Sequence, residues 1–275
     1  MKNGIYIVAT PIGNLGDITD RAKEVLAAAE IIACEDTRVT KKLFSLLGLP
    51  LNKTFIRLED HNEDAQTDRL LQLAGTQIVA QVSDAGSPLI SDPGYKLINR
   101  ARQAEINVFA IPGPCALICA LQLSGLPTNS FMFAGFIPNK DKARSDLFNK
   151  LKGIDTTLVF YETANRIIKT LTAAAPVFGE RKMAVAREIT KVYEECVNGT
   201  AAELLTHFSI REPKGEMVLM VAPPVQNPAA DIDLERVLKE ELKNNPVKTA
   251  VKNVVELYGL NKNEVYNLAL RLKNE

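Results

Sequence analysis

The residues able to do chemistry gather where glycine and proline interrupt short apolar runs. Asp84-Ala85-Gly86-Ser87-Pro88, with Ile90 just beyond, carries side chains small enough for a ligand to approach the backbone. Pro112-Gly113-Pro114-Cys115-Ala116 is a second such loop, and Pro11 with Gly13 forms a third. Each alone is more often a turn than a site. Three of them, each following a predicted strand, favour one shared pocket, because parallel sheets bind ligands at the carboxyl ends of their strands. Polar clusters adjoin these loops. Glu35-Asp36-Thr37-Arg38 stands where a strand meets a helix. Its acids suit a helix N-terminus, whereas Arg38 opposes the helix dipole there and is better placed to hold an anion. His61-Asn62-Glu63 can orient or deprotonate a hydroxyl, or can be structural. Tyr161-Glu162 and Arg187-Glu188-Ile189-Thr190-Lys191 follow later strands and read equally as site residues or surface ion pairs.

The elements that position these groups follow from hydrophobic periodicity. GIYIVAT (Gly4 to Thr10), Ile31–Cys34, Thr54–Leu58, Gln77–Val82 and Ile106–Ile111 read as strands. Helical patterns separate them: one capped by Thr19, then about Thr37 to Leu47, Asn62 to Ala74, and Tyr95 to Ala104. Strands alternating with helices imply βαβ units and a mainly parallel sheet covered on both faces. Beyond Ser124–Ser130 the pattern predicts strands at Phe131–Phe136, Thr157–Tyr161, Met183–Arg187, Val192–Val197 and Glu216–Ala222, richer in hairpins. Helices are expected up to Leu151, over Ala164–Ala175 and near Ala201–Phe208. Pro223–Asp231 reads as a linker. The remainder is helical, with Gly259 as a cap and Asn261 with Glu264 as a capping box, in a helix-turn-helix pattern.

Composition excludes several classes. Lys+Arg and Asp+Glu both number 33 in 275 residues, so the formal net charge is zero. Simple coating of nucleic acid would call for an excess of cations. Neither a P-loop signature, nor G-x-G-x-x-G after the first strand, nor a G-x-S-x-G elbow occurs. Two histidines, His61 and His207, do not suggest a metal cluster, and none is expected. The four cysteines form no C-x-x-C pair and read as reduced thiols of a cytoplasmic protein. The first residues do not resemble a signal peptide, and no apolar run is long enough for a membrane span.

Read in order, IYIVATPIGNLGDIT, CEDTRVTKKL, HNE, VSDAGSPLISDPG, IPGPCA, SGLP, FAGFIPNK, YETANR, REITKVYEE and GEMVL resemble the small-subunit ribosomal RNA cytidine 2′-O-methyltransferases, the RsmI family. The resemblance runs from near residue 4 to about 222. Cys115 replaces the usual serine and Ser87 the frequent threonine, both still small. The resemblance implies an α/β, two-domain tetrapyrrole-methylase fold of the class III S-adenosylmethionine (SAM) methyltransferases. Residues 1–124 and 125–223 would form the two α/β domains flanking the SAM cleft, and 232–275 a helical tail. It implies SAM as methyl donor, a decoding-centre cytidine of 16S rRNA as acceptor, the small ribosomal subunit as partner, and a homodimer. Carried onto this chain, it places SAM against Pro11, Asp84, Ala85, Gly86, Ser87, Pro88, Ile90, Pro112, Gly113, Pro114, Cys115, Ala116, Tyr161, Glu162, Ala186, Arg187 and Met217. Arg38, His61, Asn62, Glu63 and Lys191 are the acceptor-side candidates, with His61 or Glu63 as base. Two other readings stand beside it: a corrin-ring or diphthamide-pathway methyltransferase of the same fold, and a non-catalytic SAM-sensing module that binds the ribosome.

Overall fold

A computed structural model describes residues 1–59, 61–210, 213–224, 233–258, 260 and 262–273. Residues 1–224 form one compact body, and the described residues from 233 onward belong to a second. Within the first body, β1 (Gly4–Val8), β2 (Ile31–Cys34), β3 (Thr54–Arg57), β4 (Ile78–Val82) and β5 (Val108–Ile111) build a wholly parallel sheet in the order β3-β2-β4-β1-β5. The helices are α1 (Asp20–Ala28), α2 (Thr37–Leu46), α3 (Glu63–Ala74) and α4 (Tyr95–Gln103). Both faces are apolar, as a sheet covered on two sides requires. Tyr6 and Val8 pack with Val25, Leu26 and Phe44 of α1 and α2, while Ile5 packs with Leu70 and Leu97 of α3 and α4.

That division fixes where a ligand can enter. From β1 the chain crosses over β4 to reach β2, and from β4 it crosses over β1 to reach β5. The two connections leave neighbouring strands in opposite directions, which opens a crevice at their carboxyl ends. The loops after β1 and β4 stand at that crevice.

The second sheet has the order β6-β7-β10-β8-β9, from β6 (Phe131–Phe136), β7 (Thr157–Thr163), β8 (Met183–Arg187), β9 (Glu195–Gly199) and β10 (Glu216–Val221). Only β6 and β7 run parallel; the remaining pairs are antiparallel, matching the expected hairpin character. One face carries α6 (Asp141–Leu151), α7 (Ala164–Phe178) and α8 (Ala201–Ile210), which contribute Phe148, Leu171, Phe178 and Phe208 to a continuous core. The opposite face is covered by α5 (Ala116–Ser124). Its Leu117 and Leu121 pack on Val159, Ala184, Ala186, Val218 and Met220. The last helix connected to the first sheet therefore roofs the second.

Two sequence expectations shift. The strand read over Val192–Val197 begins at Glu195 instead, because Glu188 (φ 49°) and Thr190 (φ 66°) turn the preceding chain into a loop. The helix expected to stop near Ala175 continues to Phe178 through Pro176.

In the second body, α9 (Leu234–Asn244), α10 (Val247–Tyr258) and α11 (Lys262–Lys273) bury Leu238, Val251, Val254, Val265 and Ala269 against one another. The Glu241 carboxylate accepts from the Asn245 and Asn253 side-chain amides, each at 3.0 Å, tying α9 to α10. Gly259, Asn261 and the linker positions 225–231, singled out in the sequence, lie outside the described residues. Among the described residues no helix is long and apolar enough to cross a membrane.

Candidate functional site

The crevice is closed at its base by a pair of backbone hydrogen bonds. Thr10 N–H donates to Gly86 O at 2.9 Å and Gly86 N–H to Thr10 O at 3.0 Å. The fully buried Thr10 hydroxyl reaches Ser83 O at 3.2 Å. Gly86 has φ +82°, so glycine is the residue that this turn tolerates at low cost. The third loop joins in: the Ser87 hydroxyl donates to Pro114 O at 3.1 Å. Gly113 lies so close to Ala9 that an added Cβ would stand 2.9 Å from the alanine methyl. The three glycine- and proline-rich loops thus meet at one end of the sheet.

Above them is a cavity of about 370 Å³. Ile12, Asp84, Ala85, Gly86, Ser87, Ile90, Cys115 and Ala116 line one side, with Glu35 from the end of β2 and Ser91 and Asp92 from the loop before α4. Phe136, Tyr161, Glu162, Thr163, Glu188, Ile189, Lys191, Glu216, Met217 and Val218 of the second sheet and its loops line the other. Tyr161 is clamped edge-on by Phe133 and Phe136, with centroids at 4.8 and 5.4 Å. Burial, and next the neighbouring Cys115 thiol, push its hydroxyl up to about 12. The phenol is therefore neutral at any working pH. The pKa lies above an unfolded value of about 10, so its contribution to stability is complete below pH 10 and is lost as pH rises through 12. A wild-type minus Tyr161→Phe absorbance titration should show an ionisation step near 12; a step near 10 would contradict this environment.

The charged groups have defined anchors. Burial, and next the nearby Asp36 charge, raise the Asp84 carboxyl above its ordinary value, although the Asp36 N–H donates to Asp84 Oδ1 at 3.1 Å. Glu162 turns inward. It accepts from Thr163 N–H at 2.8 Å and from the Thr170 hydroxyl at 2.6 Å, and pairs with Arg166 at 3.1 Å. Lys191 Nζ pairs with Glu188 Oε1 at 2.9 Å. Gly13 abuts this lysine: a Cβ there would stand 2.6 Å from Lys191 Cγ. Gly215 (φ +88°) abuts Glu188 in turn, since a Cβ there would meet Oε1 at 1.9 Å.

Of the residues expected from the sequence, Asp84, Ala85, Gly86, Ser87, Ile90, Cys115, Ala116, Tyr161, Glu162, Met217 and Lys191 line this one cavity. Pro11, Pro88, Pro112, Gly113, Pro114, Ala186 and Arg187 lie outside the lining. Pro114 and Gly113 support it from behind. Ala186 is in the second-sheet core, and Arg187 pairs with Glu195 at 2.6 Å.

The acceptor-side candidates are spread further. Arg38 is not an unpaired cation. Asp36 caps α2 by accepting from Arg38 N–H at 2.8 Å and also holds the guanidinium at 2.6 Å. That pair, its hydrogen bonds first, keeps the Asp36 carboxyl well below the usual range. Glu63 is buried, and its Oε1 accepts from Gly94 N–H at 3.1 Å, Lys96 N–H at 2.8 Å and Leu97 N–H at 3.4 Å. Through that one oxygen it closes the amino end of α4, and it lies outside the cavity lining. Asn62 fastens the preceding turn through Glu59 N–H at 2.9 Å. His61 is 77% exposed, 3.5 Å from Glu59, and outside the cavity lining. Sequence reasoning did not commit to Ile12, Glu35, Ser91, Asp92, Phe136 or Glu188. The second half of SDAGSPLISDPG was the available signal for Ser91 and Asp92, whose loop needs left-handed backbone at Leu89 (φ 70°) and Ser91 (φ 68°).

Comparisons agree with this architecture. The family model described as Tetrapyrrole (Corrin/Porphyrin) Methylases matches residues 4–205, and the one described as RsmI C-terminal HTH domain matches 228–273. A relative from Erythrobacter litoralis named ribosomal RNA small subunit methyltransferase I is 47% identical, over 99% of this chain and 96% of its own. One of the same name from Vibrio cholerae is 45% identical, over 97% and 94%. Among solved structures, a diphthine synthase superimposes with a TM-score of 0.62 at 14% identity, covering 79% of this chain and 89% of its own. A uroporphyrin-III-C-methyltransferase from Thermus thermophilus gives 0.53 at 21%, covering 80% and 94%. These two establish the fold alone. With both family models and full-length relatives in agreement, the chain belongs to the tetrapyrrole methylases and, within them, to the ribosomal RNA small subunit methyltransferase I family.

Proposed function

We propose that this protein transfers a methyl group from SAM to small-subunit ribosomal RNA, at the ribose 2′-oxygen of a decoding-centre cytidine. The names of its relatives support the RNA substrate. The observation that carries the donor assignment is the cavity's charge. Glu35, Asp84, Asp92, Glu188 and Glu216 line it, with Glu162 paired to Arg166 behind it, against Lys191 as the one cationic side chain among the described lining residues. Its volume of about 370 Å³ falls within the range of roughly 300–1,000 Å³ usual for small-molecule sites. An acid-lined recess favours a cationic ligand and disfavours a phosphate, so it suits the donor and leaves the RNA backbone at the rim.

Bound SAM would supply an electrophilic methyl carbon on a positively charged sulfur. The protein's task is then alignment, for which effective molarities reach about 10⁵–10⁸ M. Ala85, Gly86 and Ala116 leave backbone open to the ligand, and Tyr161 and Met217 bound it from the second sheet. Lys191, held by Glu188, would stabilise the oxyanion left when the 2′-hydroxyl releases its proton to solvent, the form that bonds to the methyl carbon as the carbon–sulfur bond breaks. Pro11, Pro88, Pro112, Gly113 and Pro114 act as the frame of the donor loops, Ala186 and Arg187 as support, and Arg38 and His61 as contacts on the acceptor side. We also propose that the substrate is the assembled subunit, that the protein works as a cytoplasmic homodimer, and that residues 1–124, 125–223 and 232–275 are its domains.

Incubating the protein with methyl-labelled SAM and undermodified small subunits tests the reading. Label should appear in RNA, in a dinucleotide resistant to alkaline cleavage, because that cleavage needs a free 2′-hydroxyl. Label in alkali-sensitive nucleotides would move the acceptor to a base. Label confined to a small molecule or to protein would overturn the reading.

A further inference from the structure

The loop between β8 and β9 carries a feature that donor binding does not use. Val192 is 93% exposed and Tyr193 is 72% exposed. No hydrogen bond or ring contact engages Tyr193 among the described residues. Apolar side chains displayed side by side beside a cleft mark an interaction surface. The loop that holds them is firm. Lys191 N–H donates to Glu188 O at 3.0 Å and Glu194 N–H to Lys191 O at 3.1 Å. Thr190 N–H donates to Glu194 Oε2 at 2.6 Å, and Ile189 is buried in the core beneath. Left-handed backbone at Glu188 and Thr190 is sustained by these contacts. The same loop lines the donor cavity through Glu188, Ile189 and Lys191. Tyr193 therefore stands within about 7 Å of Lys191 along the chain, on a rigid mount at the rim.

We propose that Tyr193 is the stacking platform for a nucleobase of the acceptor RNA strand, with Val192 as its apolar shoulder. This inference rests on the RNA-methylation reading. An unstacked base needs an aromatic face to replace its lost neighbours, and the exposed Tyr193 ring on this braced loop provides one. Stacking is sequence-tolerant, so Tyr193 would hold the strand while Lys191 addresses the ribose.

The test is steady-state methylation of undermodified small subunits by the full chain, with SAM affinity measured separately by calorimetry. Tyr193→Ala should lower kcat/KM for the subunit by about 5- to 150-fold, the range for removing one base–aromatic stack, chiefly through KM. SAM affinity should be unchanged. Tyr193→Phe and Tyr193→Trp should retain activity, whereas Tyr193→Leu, apolar but not aromatic, should behave like alanine. Tyr193→Ala within twofold of wild type, or leucine as good as tyrosine, would overturn the proposal. So would a change in oligomeric mass on light scattering, which would assign the ring to a second copy. Wild-type protein that labels no RNA would instead fell the parent reading, and this inference with it.

Discussion

Valine in place of Gly86 should weaken SAM binding by about a hundredfold or more, with only a modest drop in melting temperature. The backbone there is left-handed at φ +82°, where a β-branched residue is a severe outlier. Strain of this kind costs about 1–3 kcal/mol. The turn has little freedom to relax, because both the N–H and the carbonyl of Gly86 are engaged with Thr10. An added Cβ would also stand 3.1 Å from Ile12 Cγ2, and Ile12 lines the cavity. Relief therefore comes by displacing Ile12 or by pulling Ala85 and Ser87 off the ligand side. Tenfold in affinity corresponds to about 1.4 kcal/mol, so losing part of this loop's contact suffices. Gly86→Ala should fall in between. Calorimetric titration with SAM measures the series, and a Gly86→Val protein binding with wild-type affinity would remove this loop from the donor site.

Alanine at Glu162 should act first on stability, lowering it by about 3–5 kcal/mol, the usual cost of breaking a buried ion pair by deleting one partner. The Glu162 side chain is fully buried and Arg166 is 23% exposed. Truncation takes the acceptor from Arg166 Nε, the Thr170 hydroxyl and the Thr163 N–H together, leaving the guanidinium, among the described residues, only its bond to Ile137 O. Glu162→Gln keeps the shape and some of the hydrogen bonds, so it should cost less. Denaturant unfolding separates the two variants. A Glu162→Ala protein of wild-type stability that no longer binds SAM would show that the carboxylate serves the ligand directly.

The parallel sheet was legible because its strands are unbroken apolar runs set between helical periods, a pattern with few alternative folds. The loops that line the cavity were legible for a related reason: Gly86 and Gly113 occupy places where a side chain would collide or strain, so the sequence must mark them. The surroundings of Arg38 and Glu63 were not legible, since a charge beside a strand end looks the same whether it faces a ligand or a backbone. The Arg38 side chain pairs with Asp36, two residues away. Glu63 spans 31 positions to Gly94, and no local spacing reveals such a contact. Phe136 and Glu216 escaped notice because they reach the cavity only through the pairing of β6 and β10 with β7, which a linear reading does not supply.

The roofing of the second sheet by α5 has a bearing on how this chain is divisible. A cut between Ser124 and Phe131 removes no strand, yet it leaves Leu117 and Leu121 on one fragment and the strands they pack against on the other. Each piece alone would show water a broad greasy face. The halves are therefore expected to fold together, and either fragment expressed alone should be less soluble than the intact chain.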